Sequence, residues 1–297
     1  MTVYPFMKYK RWSVILLGAV TLFAAGAILV LGLRLGIEFN GGVRLEVQLK
    51  QDAATSDVRT IVSEAGIADT VVQPVGSKGF VITAAEMSDA QVASVIKALG
   101  DTYGAEESAT GQERVGASFG AETGQKALIA ILVAVAVIIL YITWRFEYKF
   151  AFPAIVALVH DVALTLGVYA VTGRLVTTAT VAAVLTIVGY SVNDTIIVFD
   201  RIRENQAFMK KESYGSMVDL SIRQTLARSL NTALTTLLPI ATILLFGGST
   251  LKDFAFALFI GIASGAYSSI FVASPLLAYW KEREPRYRRR AMADKTA

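Results

Sequence analysis

LVTTATVAAVLTIVGYSVNDTIIVFDRIREN, residues 175–205, is apolar over 175–199 except for one charge, Asp194. A run of that length is enough to cross a hydrocarbon layer, which takes about 20 mostly apolar residues. An ionised side chain near the centre of such a layer costs about 2.5–3.5 kcal/mol on insertion scales, so it faces a bundle interior or water. The stretch therefore reads as one helix of a membrane bundle with an acid among apolar neighbours, and then a charged cluster from Asp200 onward.

Five further runs have the same character: 12–33, 127–144, 151–173, 229–251 and 254–280. The only Asp, Glu, Lys, Arg or His residues in them are His160 and Asp161, side by side in the third span of the series. The composition agrees. Of 297 residues 54% are apolar and 18% charged, and the mean hydropathy is +0.54; soluble domains carry about 25% charged residues. The absence of cysteine excludes disulfides and Cys-based metal sites, and a single histidine excludes a multi-histidine site. No metal, cofactor or catalytic motif is expected. The first run is too long for a removable leader and lacks a small-residue cleavage site, so it reads as a retained helix.

The basic residues fall on one face of a six-span chain. Lys8, Lys10 and Arg11 precede the first span, and Arg145 and Lys149 lie between the second and third. Arg201, Arg203, Lys210, Lys211 and Arg223 lie between the fourth and fifth. Lys281, Arg283, Arg286, Arg288, Arg289 and Arg290 follow the sixth. The two short loops on the other face hold only Arg174 and Lys252. Lys and Arg near short loops mark the cytoplasmic side, so both termini are expected there. The net charge of +4 then reports topology and attraction to membrane lipids, not nucleic acid. Residues 200–227 mix Ile202, Phe208, Met217, Leu220, Ile222 and Leu226 with charges, which predicts a helix lying in the interface.

The loop between the first two spans, residues 36–125, reads as a folded unit on the extracytoplasmic side. Val43, Leu45, Val47 and Leu49 alternate with Arg44, Glu46, Gln48 and Lys50, the period of a half-buried strand. Thr55 or Ser56 caps a helix with Val58, Ile61, Val62 and Ala65 inward, ended by Gly66. Strands follow at 70–75 and 80–83. Ser88 caps a second helix carrying Val92, Val95, Ile96 and Leu99 and stopped by Gly100, and a last β run spans 106–115. The order βαββαβ predicts a ferredoxin-like α/β sandwich acting as a binding or spacer module. The whole is a polytopic α-helical membrane protein: six transmembrane helices plus one extracytoplasmic ferredoxin-like domain. Its expected divisions are 1–35 (tail and first helix), 36–125 (the outer domain), 126–281 (the remaining five helices) and 282–297 (a basic tail).

Asp194 has a natural partner in Arg228, which opens the fifth span on the same side in LARSLNTALTT. Three readings stand open: a static buried ion pair, a proton or ion relay, and an aspartyl dyad of Asp161 with Asp194 for proteolysis. YSVND lacks the GxGD context of the last. A serine alternative, Ser264 with His160, competes with a packing explanation, since Gly261 and Gly265 in GIASGAYSS give a GxxxG spacing. His160 and Asp161 are the further candidates for a pathway.

GYSVNDTIIVFDRIREN, QTLARSLNTALTTLLP and LLFGGSTLKDFAFALFIGIASGAYSSIFVASPL together resemble the SecF branch of the SecD/SecF family, within the resistance-nodulation-division superfamily. GIEFNGGVRLEV and HDVALTLGVY fit the same family. The resemblance implies a subunit paired with SecD, and through it the SecYEG channel and YajC, that uses the proton-motive force to assist late preprotein export. It implies a transport subunit with no enzymatic activity of its own. It implies Asp194 of the Asn193–Asp194–Thr195 motif as a proton-pathway residue, Arg228 as its partner, and Gly41 and Gly42 as a turn from helix to outer domain. Two departures from the family pattern are Glu38 and Val43, where an Asp and a Thr are usual, and a third is Ala117 in place of Pro after Val115–Gly116. A start at Met1 and a basic tail suggest that SecD is a separate chain. The competing reading is a small-molecule or lipid exporter of the same superfamily.

Overall fold

A computed structural model describes residues 6–76, 78–105, 111–209, 212–285 and 287, with 249–250 described by backbone alone. The expected β residues 106–110 and the basic residues Lys210, Lys211, Arg286 and 288–290 lie outside the described residues.

Among the described residues six helices are long and apolar enough to cross a membrane: Phe6–Leu31, Ala117–Arg145, Tyr148–Thr172, Thr178–Phe208, Tyr214–Phe246 and Leu251–Lys281. Named in chain order, α1 (Lys10–Leu31), β1 (Arg34–Leu35) and α2 (Ile37–Asn40) lead into β2 (Gly42–Gln48). Then come α3 (Thr55–Glu64), β3 (Val71–Val75), β4 (Gly79–Ala84), α4 (Asp89–Tyr103) and β5 (Gly111–Val115). The bundle continues with α5 (Ala117–Arg145), α6 (Tyr148–Thr172), β6 (Leu175–Val176), α7 (Thr178–Phe208) and α8 (Tyr214–Phe246). The last span is α9 (Ser249–Ser268), a wide π turn over Ser269–Ala273, and α10 (Ser274–Lys281).

Burial sorts the helices. α6, α7 and α9 form the centre of the bundle, whereas α1 and α5 expose nearly all of their apolar surface. Leu29, Val30 and Trp144 are among the exposed side chains, as expected of helices whose outer surface meets lipid. The bundle has two apolar clusters. One, away from the sheet, stacks Phe146, Phe150 and Phe199 edge to face and continues to Tyr214. The other, nearer the sheet, packs Ile187 of α7 against Leu258 and Ile262 of α9.

β2–β5 form one antiparallel sheet in the order β3-β4-β2-β5. Alternation sets its inner face: Val43, Leu45 and Val47 meet Ile82 and Phe80 and the inward sides of α3 and α4. Two ties hold the sheet unit to the bundle. β1 and β6 pair in parallel, with the Gly36 amide donating to the Val176 carbonyl at 2.8 Å. α2 packs on the start of α5.

Three expectations change. Thr55 is already helical and Ala54 occupies the cap position without a side-chain bond, so neither Thr55 nor Ser56 caps α3. α4 runs past Gly100 to Tyr103 and ends at Gly104, which takes the left-handed conformation at φ 71°. Among the described residues of 200–227 no separate helix lies in the interface: α7 continues to Phe208 and α8 begins at Tyr214. Of the apolar residues there, Ile202, Met217 and Ile222 are buried in the bundle, Leu220 and Leu226 are partly buried and Phe208 is exposed, and Asn205 Nδ2 donates to Ser221 Oγ at 2.8 Å. By contrast, Ser88 caps α4 as expected, and Gln91 completes a capping box with it.

Candidate functional site

Asp161 sits in α6 with no solvent exposure. Its carboxylate accepts three serine hydroxyls: Ser264 on Oδ1 at 2.5 Å, and Ser191 and Ser268 on Oδ2 at 2.6 and 2.8 Å. Ser191 comes from α7 and the other two from α9, so three helices converge on one acid. Among the described residues no Lys or Arg nitrogen lies within 4.0 Å of it. Ser264 and Ser268 are four apart and Ser191 and Thr195 are four apart, so each pair shares a helix face. The close approach depends on glycine. A Cβ on Gly261 would overlap Ile187, and one on Gly265 would sit 3.3 Å from Ser191 Cβ and 3.7 Å from Asp161 Oδ2. The GxxxG spacing thus packs α9 onto α7, and the same contact brings the hydroxyls to the acid. Sequence reading treated Ser264 as one small residue among many; its pairing with Asp161 required the fold.

His160 faces the other way. Its Nδ1 lies 2.6 Å from Thr21 Oγ1 of α1 and its Nε2 2.7 Å from Tyr267 OH of α9. The imidazole therefore bridges the outer helix α1 to the central α9 and is 2% exposed. A small-residue contact fixes α1 there: a Cβ on Gly167 of α6 would lie 2.8 Å from Ala24 Cα.

Asp194, one helical turn after Ser191 on α7, is buried, and its Oδ1 accepts from Ser229 Oγ at 2.7 Å. Its Oδ2 is buried and has no hydrogen-bond partner among the described residues. Arg228, the partner expected from the sequence, is exposed, and among the described residues no ion pair within 4.0 Å joins it to Asp194, although its charge still acts on that carboxylate at longer range. Successive helical residues are turned about 100° from each other, so the inward position on α8 belongs to Ser229 and Arg228 stands outside direct contact. Asn193, by the same reasoning, lies on the exposed side of an unbroken α7. Beside Asp194, Thr195 Oγ1 and Ser269 Oγ are 2.9 Å apart. Ser268 and Ser269 are consecutive, and the π turn starts at Ser269, so one distorted turn touches the surroundings of both acids. Such turns are frequent at functional positions.

At the junction with the sheet, Gly41 (φ 76°) and Gly42 (φ 133°) both take the left-handed half of backbone space, which favours glycine. A Cβ on Gly41 would come within 2.8 Å of the Ala117 backbone, and one on Gly42 within 2.5 Å of the Ala84 carbonyl. Gly120 approaches the same turn from α5: its Cβ would lie 2.7 Å from the Phe39 carbonyl. Glu38 in α2 is half-buried with an unpartnered Oε2, and burial raises its carboxyl above the usual 4.5.

Six hydrophobic spans with an inserted sheet unit and two separate buried acids describe a multi-pass membrane protein, and the comparisons with known proteins place it in a transport class. The SecD/SecF C-terminal family of protein export membrane proteins matches residues 94–283, and the SecD/SecF GG motif matches residues 26–53, which contain Gly41 and Gly42. The chain belongs to the SecD/SecF family. It is 38% identical to the protein translocase subunit SecF of Desulfurispirillum indicum over 95% of this chain and 92% of that one. It is also 38% identical to the protein translocase subunit SecDF of Thermus thermophilus, over 93% of this chain and 38% of that one. The crystal structure of Thermus SecDF superposes with a TM-score of 0.87 at 36% identity, covering 95% of this chain and 39% of the other. The chain thus spans about two fifths of the SecDF proteins it matches.

Proposed function

We propose that the chain is a SecF-type accessory subunit of the Sec translocase that couples proton flow to late steps of preprotein export. One observation carries the coupling: two buried carboxylates, Asp161 and Asp194, are held by neutral hydroxyls, with no cation within 4.0 Å among the described residues. A buried carboxylate without a counter-charge is unfavourable, so the neutral, protonated form is accessible to each. Hydroxyls both donate and accept, so either form can be satisfied by rotation of Ser191, Ser229, Ser264 and Ser268. His160 and Arg228 belong to the route on either side, Arg228 as a cation that approaches Asp194 in another state of the bundle.

The sheet unit is the extracytoplasmic domain, residues 36–125, with the first turns of α5 standing clear of the membrane. Its antiparallel order β3-β4-β2-β5 over βαββαβ supports a ferredoxin-like sandwich. Both termini are cytoplasmic, on the side of Lys10, Arg145, Arg201 and Lys281. Residues 126–281 complete the bundle and 282–297 form the basic tail. The relatives named SecDF support SecD as the partner; on this proposal the SecYEG channel and YajC join through it. The test is gradient-driven export in vesicles containing the reconstituted partners. Asp194→Asn is expected to abolish the gradient-dependent increment with assembly intact; full retention of that increment would refute the relay.

A further inference from the structure

The face of the sheet that carries no helix looks toward the ends of the spans. Arg44 lies on it, opposite Thr83 of β4 and Glu113 of β5. Beneath that face is a cavity of about 940 Å³. Its charged lining, among the described residues, is Arg34, Arg44, Arg59, Arg174 and Lys252 against Asp253 alone. Two of the cations are engaged: Arg174 with Asp253 at 2.7 Å and Arg44 with Glu46 at 2.8 Å. Arg34, Arg59 and Lys252 have no carboxylate within 4.0 Å among the described residues. Beside the Arg174–Asp253 pair, the membrane side of the lining carries apolar residues. Leu31 ends α1, Val171 lies in the last turn of α6, and Leu244 lies in that of α8. Leu31 and Val171 are 59% and 55% exposed.

An anion with an apolar tail fits such a place: cations above, hydrocarbon below, at the level where spans end. An extended polypeptide fits it less well. β3 is an edge strand and lines the cavity, yet Pro74 removes one of its amide donors, the usual device against strand addition. A free phosphate would leave the apolar wall unused. We propose that this cavity seats the headgroup of an anionic phospholipid from the leaflet on the sheet side. Its phosphodiester lies among Arg34, Arg59 and Lys252, and its acyl chains run down past Leu31, Val171 and Leu244. The lipid would then fill the joint between the sheet unit and the bundle, the place where any movement of one against the other is felt.

The experiment is lipid retention by the full chain in nanodiscs of mixed phosphatidylglycerol and phosphatidylcholine, read by native mass spectrometry. A surface cation contributes about fivefold to anionic-lipid affinity, so Arg34→Gln, Arg59→Gln and Lys252→Gln each lower phosphatidylglycerol enrichment about fivefold, and the triple variant about 100-fold. A reversal, Lys252→Glu, lowers it further, while Lys97→Gln on the exposed α4 leaves it unchanged. Unaltered thermal unfolding of the variants shows that the fold survives. Equal enrichment in wild type and triple variant would overturn the proposal. So would displacement of the lipid by millimolar inorganic phosphate, which would make a free anion the ligand. Displacement by a soluble acidic peptide, lost in the triple variant, would overturn it in favour of a polypeptide site.

Discussion

Replacing Asp161 in two ways separates its structural role from its proposed chemical one. Asp161→Asn keeps the shape and one oxygen. If the oxygen takes the place of Oδ2, Ser191 and Ser268 keep their acceptor, and the amide donates to Ser264, whose hydroxyl accepts as readily as it donates. The stability change is therefore within about 1 kcal/mol, the worth of one altered hydrogen bond. Asp161→Ala removes all three acceptor contacts and leaves three serines facing a void. Interhelical hydrogen bonds in membranes average about 0.6 kcal/mol with a maximum near 1.7, so the loss is about 2 kcal/mol and at most about 5. Thermal unfolding of the full chain in one detergent reads both values. Gradient-driven export in vesicles reads the chemistry, since Asn cannot gain or lose a proton. The expected pattern is a stable Asn variant with no gradient-dependent increment and a destabilised Ala variant that also lacks it. An Asn variant that exports at the full wild-type increment would refute a proton role for Asp161. An Ala variant as stable as wild type would refute the three-serine geometry itself.

Four further outcomes follow from the geometry. In a double-mutant cycle on unfolding free energy, Asp194→Asn and Ser229→Ala couple by about 0.6–1.7 kcal/mol, whereas Asp194→Asn and Arg228→Gln, acting on each other only at a distance, couple more weakly; the reverse order would make Arg228 the contact. Gly261→Leu forces α9 off Ile187 and lowers the unfolding temperature, and Gly18→Leu, with nothing near its Cβ, serves as the control. Gly41→Ala costs about 1–3 kcal/mol for a backbone at φ 76° and ψ 171° that side chains rarely adopt, plus a clash with Ala117, while Gly76→Ala, at φ 71° with open space, has no such clash to meet. Glu38 has its folded value raised, so the stability linked to its proton is present at low pH and lost as pH rises through that value. Glu38→Gln is therefore expected to gain on the parent as pH rises above the usual carboxylate range, in unfolding measured across pH; a constant difference would show Glu38 to be ordinary.

The spans were legible because hydropathy sums over about 20 residues, so a few misplaced residues do not disturb the result. The first strand of the sheet was legible because Val43 to Leu49 alternate strictly, and the start of α4 because Ser88 offers a capping hydroxyl. Failures came where one residue decides. Ala54 at a cap has no side-chain signature, and Gly100 and Gly104 look alike in sequence although only one turns left-handed. The 200–227 connector failed for a different reason. An amphipathic helical period reads the same whether its apolar side meets lipid head groups or the bundle, and Ile202, Met217 and Ile222 meet the bundle.

The site divides in the same way. Asp161 and Asp194 stood out because an acid in an apolar run is costly wherever it points, so their presence needed no register to be noticed. Their partners are serines, which are common at helix contacts and carry no such cost; only the pairing of α9 with α7 through Gly261 and Gly265 selects Ser264 and Ser268 from the others in that segment. The chemistry explains why neutral partners suit the proposed role. An acid clamped by a buried guanidinium leaves an uncompensated cation whenever it takes up a proton, and that costs several kcal/mol, about 3–5 when a buried pair is broken. An acid held by hydroxyls leaves only rotors to turn. Ser268 already has a second acceptor in the Gly265 carbonyl at 3.3 Å, and Ser269 shares that carbonyl at 3.2 Å. Release of Ser268 from Asp161 therefore bears directly on Ser269, on Thr195 beside Asp194, and on the π turn between them. On the proposed reading that turn is where proton exchange at one acid is sensed at the other, and it moves helices already tied to the sheet through β1, β6 and α2.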